Sequence, residues 1–257
     1  MKIFPHFLLQ AKYMRAFLLL GLGIMLLSIS CSFVFQTSLQ FPILKWSLVW
    51  HYRSVFLHGW VKTFYISLSA LLLSCVFGAF IVTVRRSSLT SLRLLALIVI
   101  ELIRGTPLLT QILFFFYVVA HGIGLENRLL TGILILSFFS SVYIAELIRA
   151  SIEAIPHPQW ESAKAIGLTT FQTYRYVIVP QALRPVLPSL TGQLASLIKD
   201  SSLLSIIGIS ELTLAAEQVN ATTYCTLESF VPLAIGYLIL TLPISLGSRL
   251  LERKLRL

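Results

Sequence analysis

The stretch "QWESAKAIGLTTFQTYRYVIVP", residues 159–180, begins polar and small, and it sits between two long apolar runs. Pro158 suits the first turn of a helix and Gly167 the position just past its end, so "PQWESAKAI" reads as a helix of about nine residues. Thr169 and Gln172 stand in capping-box spacing and open a second helix, which Pro180 is expected to close. On the first helix Trp160, Ala163 and Gly167 share a face, while Glu161 and Lys164 form a polar edge. A simple connection would need neither two capped helices nor a run of Ala and Ser. The interval from about 150 to 182 therefore reads as an amphipathic segment lying on lipid or as a docking element for a cytoplasmic partner.

The rest of the chain is made for hydrocarbon. Of its 257 residues 57% are hydrophobic and 12% charged, against about 25% charged in a soluble domain. Apolar runs near the roughly 20 residues that cross a bilayer occur at about 16–36, 60–84, 108–124, 129–148, 183–208 and 229–248. The third is short, so its helix is expected to begin near Leu94, with Glu101 and Arg104 close to a water-facing surface.

A net charge of +10 raises the question of nucleic acid, but the basic residues sort by side, as membrane topology requires. With the N-terminus inside, Lys2, Lys12, Arg15, Arg85, Arg86, Arg93, Arg149, Lys164, Arg175, Arg184 and the C-terminal Arg249, Arg253, Lys254 and Arg256 are cytoplasmic. Lys45, Arg53 and Arg128 fall outside, as does an acidic loop at 211–228 with Glu211, Glu217 and Glu228. This pattern predicts six spans with both ends cytoplasmic and no nucleic-acid partner. A cleaved leader ending at Cys31 is disfavoured, because Ser28 stands where a larger aliphatic residue is wanted. The three cysteines give neither a disulfide framework nor metal-ligand spacing.

The tetrapeptide Glu-Leu-Ile-Arg occurs at 101–104 and 146–149, and its ends are placed to pair on a helix face, Glu101 with Arg104 and Glu146 with Arg149. In the fifth run Gln193, Ser196 and Asp200 share a face, with Lys199 turned about 100° away and Ser201 following. Ionisable groups at that depth normally face a bundle interior or a water cavity. No phosphate-binding Gly-Lys-Ser/Thr loop, His-Glu-x-x-His or Gly-x-Ser-x-Gly is present, so catalysis is not expected on this chain. "HGIG" at 121–124 reads as a turn between spans. An ion-coupled secondary transporter, using Lys199 and Asp200, is the competing class.

Glu161, Ser162, Ala163, Gly167 and "VIVP" at 177–180 resemble the cytoplasmic Glu-Ala-Ala loop of the membrane subunits of ATP-binding-cassette (ABC) importers, with Ser162 in place of the usual first Ala. "ELIRGTPLLTQILFFFY" at 101–117, "YIAELIRASIEAIPHPQW" at 143–160 and "LIKDSSLLSIIGISEL" at 197–212 extend the resemblance to the polar amino-acid uptake branch, the permeases for histidine, glutamine and arginine. The resemblance covers about 55–257. It implies an all-α integral membrane bundle with a five-span core in 51–257; the apolar run at 16–36 adds one N-terminal span within 1–50, outside that core. It also implies a bacterial inner-membrane location. Trp160, Glu161, Ser162, Ala163, Gly167 and Pro180 would form the ATPase-coupling loop, and Gln193, Ser196, Lys199, Asp200 and Ser201 the substrate path. The implied partners are a cytoplasmic ATPase dimer that holds ATP and Mg, a second permease copy or a relative, an extracytoplasmic binding protein and membrane lipid. No metal or cofactor is expected on the chain itself.

Overall fold

A computed structural model of the protein describes residues 45–255; the span expected at 16–36 lies outside them. After the short α1 (Ser47–His51), α2 (Arg53–Arg85) runs for 33 residues. At about 1.5 Å per residue that length exceeds the roughly 30 Å hydrocarbon core. Leu57, Leu72, Val76 and Phe80 are exposed along α2, while Thr63, Ser67, Ala70, Ser74 and Gly78 are buried at spacings of three and four. Lipid is as apolar as leucine, so helices in a membrane gain more from close backbone approach over small residues than from burying large ones. The serines satisfy their hydroxyls on their own helix, Ser67 Oγ donating to the Thr63 carbonyl at 2.8 Å and Ser74 Oγ to that of Ala70 at 2.5 Å.

That stripe seats α5 (Arg128–Glu153). Ser74 Oγ donates across to the Ser137 carbonyl at 3.0 Å. A Cβ on Gly78 would come within 2.9 Å of Ile144 Cγ2 and 3.0 Å of the Ser141 oxygen. The pairings 74 with 137 and 78 with 141 advance together, so α2 and α5 run parallel. Residues 86–127 must therefore travel back along the bundle. They do so in two pieces, α3 (Thr90–Gly105) and α4 (Leu108–Phe114), the latter continued by a π-helical turn Phe115–Ala120. The single helix expected to begin near Leu94 is thus broken at Thr106–Pro107. Pro107 lacks an N–H for the helical ladder and pushes Thr106 into extended backbone, φ −119° and ψ 146°. Gln111 Nε2 fills the break, donating to the Ile103 carbonyl at 2.7 Å.

After α6 (His157–Ala165) the chain forms one turn, α7 (Thr170–Gln172), a π-helical stretch Thr173–Ile178, and α8 (Val179–Asp200). Pro180 was expected to end the helix here and does not. It falls in the first turn of α8, just after the change from π to α geometry, where a missing N–H is tolerated. A 3-10 segment Ser201–Ile207 ends at Gly208, and α9 (Leu212–Thr223) follows at a bend of 49°. The exposed acidic loop expected at 211–228 is instead mostly helix. Glu217 is exposed, but Glu211 is 0% exposed beside Leu212, Ala216 and Val219, which pack against Phe56 of α2, and Glu228 is 4% exposed, accepting from the Lys45 N–H at 2.5 Å. The final helix is α10 (Thr226–Leu255).

Gln193 of α8 meets Ser140 of α5, and Gly132, nearer the start of α5, lies against Leu204, so α8 is antiparallel to α5. Trp60 Nε1 donates to the Gly236 carbonyl at 3.1 Å and Ser248 Oγ to that of Pro188 at 2.8 Å, which makes α10 parallel to α2. These pairings define two ends of the bundle. One carries Lys45, Arg53 and α9; the other carries Arg85, Arg149, Arg184, Arg249 and the whole of α6. Among the described residues α2, α5 and α10 are long and apolar enough to cross a membrane, the bent pair around Gly208 supplies a fourth such unit, and Leu108–Ala120 is a shorter apolar helix.

Candidate functional site

The α6 hairpin forms as its punctuation requires. Pro158 lies in the first turn of α6. Beyond the last turn Gly167 has φ +81°, its N–H bonds the Lys164 carbonyl at 2.9 Å, and the Leu168 N–H reaches the Ala163 carbonyl at 3.1 Å. This paired closure needs a left-handed residue at position 167. Thr169 and Gln172 then cap each other reciprocally, the Gln172 N–H donating to Thr169 Oγ1 and the Thr169 N–H to Gln172 Oε1.

One face of α6 is anchored to the bundle. Ala163 is 2% exposed. Trp160 packs with Tyr174 and Val177 against Ile152, Ile155, Ile178 and Ala182, bridging the end of α5 and the start of α8. Gln181 Nε2 adds a contact of 3.4 Å to Gln159 Oε1. The opposite face is open: Glu161, Ser162, Lys164 and Ala165 are exposed, and Ile166 and Phe171 stand 75% and 71% exposed beside them. The two faces expected from the spacing, Trp160 with Ala163 and Glu161 with Lys164, thus become an inner and an outer side. Trp160 and Ala163 face inward, Glu161 and Ser162 face outward, and Pro180 is exposed at the base of α8.

The ion pairs also divide. Glu146 Oε2 accepts from Arg149 Nη2 at 2.9 Å, and Glu146 takes a second guanidinium from Arg85 at the end of α2. Arg149 reaches on to Glu153. Glu101 and Arg104, expected to pair likewise, form no ion pair among the described residues. Both are exposed on α3, where water or headgroups solvate them and nothing holds them together. Arg85 escaped sequence reasoning as a partner, because 61 residues separate it from Glu146.

Along α8, Gln193 is half-buried and donates to Ser140 Oγ at 3.0 Å. Ser196 and Asp200 are half-buried, Ser201 is buried with its hydroxyl on the Ile198 carbonyl at 2.8 Å, and Lys199 is exposed. No salt bridge joins Lys199 to Asp200 among the described residues. Ser140 lies midway along α5, so Gln193 stands near the middle of the bundle, and Lys199 and Asp200 follow about 10 Å further along α8, toward the end at which Leu204 meets Gly132.

A second polar centre was read as loop. Glu211 caps α9, accepting from the Thr213 and Leu214 N–H groups at 2.9 Å each. Tyr237 of α10 donates to the same carboxylate at 2.9 Å, and Thr63 of α2 accepts from the Leu212 N–H at 3.1 Å. Thr63 Oγ1 also donates to Glu211 Oε2 at 3.5 Å, so a carboxylate at a broken helix meets α2, α9 and α10. The signal that marks it in sequence is Gly208 followed by Glu211 and an apolar run, the signature of one helix stopping and another being capped.

The geometry is that of a helical membrane component with an anchored loop helix at its basic end. Residues 70–257 match the family described as "Binding-protein-dependent transport system inner membrane component", and the chain belongs to that family. It is 33% identical over 210 residues to the probable glutamine ABC transporter permease protein GlnM of Bacillus subtilis, covering 81% of this chain and 97% of the relative. It is also 33% identical over 215 residues to the glutamine transport system permease protein GlnP of Escherichia coli K12, covering 82% and 98%. Among solved structures, an amino acid ABC transporter crystallised with histidines superposes with a TM-score of 0.77 at 33% identity, over 83% of this chain and 100% of that one. The MetNI methionine ABC transporter in an inward-facing conformation shares the fold, with a TM-score of 0.69 at 19% identity over 80% and 98%. The all-α membrane bundle is therefore the ABC importer permease fold.

Proposed function

We propose that this chain is the translocating subunit of an ATP-driven importer for polar amino acids, with α6 as the contact for a separate cytoplasmic ATPase dimer. The carrying observation is the two-faced seating of α6. Its Trp160 and Ala163 are fixed to α5 and α8, while Glu161, Ser162 and Ala165 are presented outward on a short stiff helix at the basic end of the bundle. A rigid element held at both ends transmits displacement to the helices it joins. In this reading ATP and Mg bind the ATPase, an extracytoplasmic binding protein delivers substrate, and a second copy or a related permease completes the path. On the same reading residues 51–257 are the permease core, the apolar run at 16–36 supplies one further span, and both termini are cytoplasmic, as the distribution of Lys and Arg predicts.

The substrate class follows from two supports. Relatives at 33% identity are named for glutamine transport. In this chain Lys199 is exposed on α8, within the fourth apolar unit, where a charge facing hydrocarbon is costly, so we assign it to a polar path. Lys199 and Asp200 complement the carboxylate and amino group of a zwitterion. Gln193, its amide N–H engaged by Ser140, adds no charge, which fits a neutral polar side chain such as that of glutamine.

The test is uptake in proteoliposomes containing the ATPase and the binding protein. Glu161→Lys and Gly167→Val, at normal abundance in the membrane, are expected to abolish ATP-driven amino-acid uptake. Normal uptake by both would remove α6 from the coupling role.

A further inference from the structure

Two consecutive arginines close α2, and each holds a different part of the loop machinery. Arg85 bonds Glu146, whose carboxylate Arg149 also grips at 2.9 and 3.1 Å, and Arg149 continues to Glu153 in the last turn of α5, immediately before α6. Arg86 Nη1 donates to Tyr174 Oη at 2.8 Å, with its guanidinium 5.8 Å from the ring centre. That ring meets Trp160 of α6 edge to face, 5.3 Å between centroids. The end of α2 is thus connected to α6 by two routes, one through α5 and one through Tyr174 directly. Arg85, Glu146 and Arg149 are only 21–29% exposed, so their charges are partly withdrawn from water and hold each other more firmly than surface pairs.

We propose that Arg85 and Arg86 are positioning residues that make α2 move with α5 when α6 is displaced, so that ATP hydrolysis at the partner changes the packing of the substrate path. This rests on the coupling role proposed for α6. The close contact of α2 with α5 at Ser74, Gly78, Ser137 and Ser141 carries a motion imposed at the arginine end along both helices, because such a fit tolerates rigid-body motion and not sliding. A pair serving only stability would leave the yield of transport per ATP untouched, whereas a transmitting tie governs that yield.

The experiment compares the wild-type complex with Arg85→Gln, Arg86→Gln and Tyr174→Phe in proteoliposomes with the ATPase and binding protein, reading amino-acid uptake and ATP hydrolysis together. Tyr174→Phe keeps the ring on Trp160 and removes only the hydroxyl, so it reports on the tie if an arginine variant fails to assemble. Each variant is expected to retain the ATPase and its basal hydrolysis, with uptake per ATP falling by about fivefold or more for the arginines, the lower edge of ordinary coupling effects, and in the same direction for Tyr174→Phe. Arg85→Lys, which keeps the charge, is expected to recover most of the loss at position 85. Unchanged uptake per ATP in the variants that assemble, or uptake and hydrolysis falling in proportion, overturns the tie. A wild-type complex that binds no ATPase, or takes up amino acid without ATP, overturns the coupling role of α6 instead.

Discussion

Trp160 and Tyr174 meet edge to face with ring centroids 5.3 Å apart, joining α6 to the segment that leads into α8. Such a pair contributes about 0.5–1.5 kcal/mol beyond its buried area. Trp160→Ala removes this contact and most of the anchoring of α6, while leaving α2, α5 and α10 packed. The expected result is faster proteolytic cleavage between residues 157 and 168 and a weaker recovery of the ATPase, with the thermal transition of the bundle shifted little.

Gly78 lies at a close approach of α2 to α5. A side chain there meets Ile144 and the Ser141 backbone, neither of which swings away. Overpacking of this kind costs about 1–3 kcal/mol. Gly78→Leu should lower the thermal midpoint of the detergent-solubilised protein, and Gly78→Ala should lower it less.

Glu211 meets three helices through one carboxylate. Glu211→Ala removes the cap of α9 and leaves the Tyr237 hydroxyl and two N–H groups to find new partners, a loss of roughly 2–4 kcal/mol. Glu211→Gln keeps one acceptor and should cost clearly less. Thermal unfolding of the two variants beside the wild type checks the order.

Among the described residues Lys199 and Asp200, neighbours on α8, form no ion pair with each other. If they line the substrate path as proposed, Lys199→Met and Asp200→Asn leave assembly with the ATPase intact and reduce amino-acid uptake by tenfold or more, the loss of a charged hydrogen bond of about 1.5–3 kcal/mol. Uptake and copurification measured on the same preparations separate the two effects.

What the sequence revealed was local. Pro158, Gly167 and the Thr169–Gln172 box act within a few residues of themselves, so the α6 hairpin was legible at its ends. Its orientation was not, because only the apolar seat formed by Ile152, Ile155 and Ile178 turns Trp160 and Ala163 inward. Pro107 stood in plain sight, yet hydropathy alone merges α3 and α4 into one run. Glu211 looked like a loop residue because the interval 211–228 carries three Glu and no Lys or Arg, as an outer loop does, and its burial depends on α2 and α10, distant in sequence. The Arg85–Glu146 contact arises from the parallel packing of α2 and α5, which no local pattern encodes.

The most direct measurement is site-directed cross-linking in a transporting complex. With the native cysteines replaced by serine, single cysteines at Ser162, on the open face of α6, and at Ala163, on its buried face, are treated with a short thiol cross-linker in the presence of the ATPase. The account predicts a cross-link to the ATPase from position 162, altered by ATP, and none from position 163. A complex that imports amino acid with ATP yet gives no cross-link from 162, or gives one equally from 163, would contradict it.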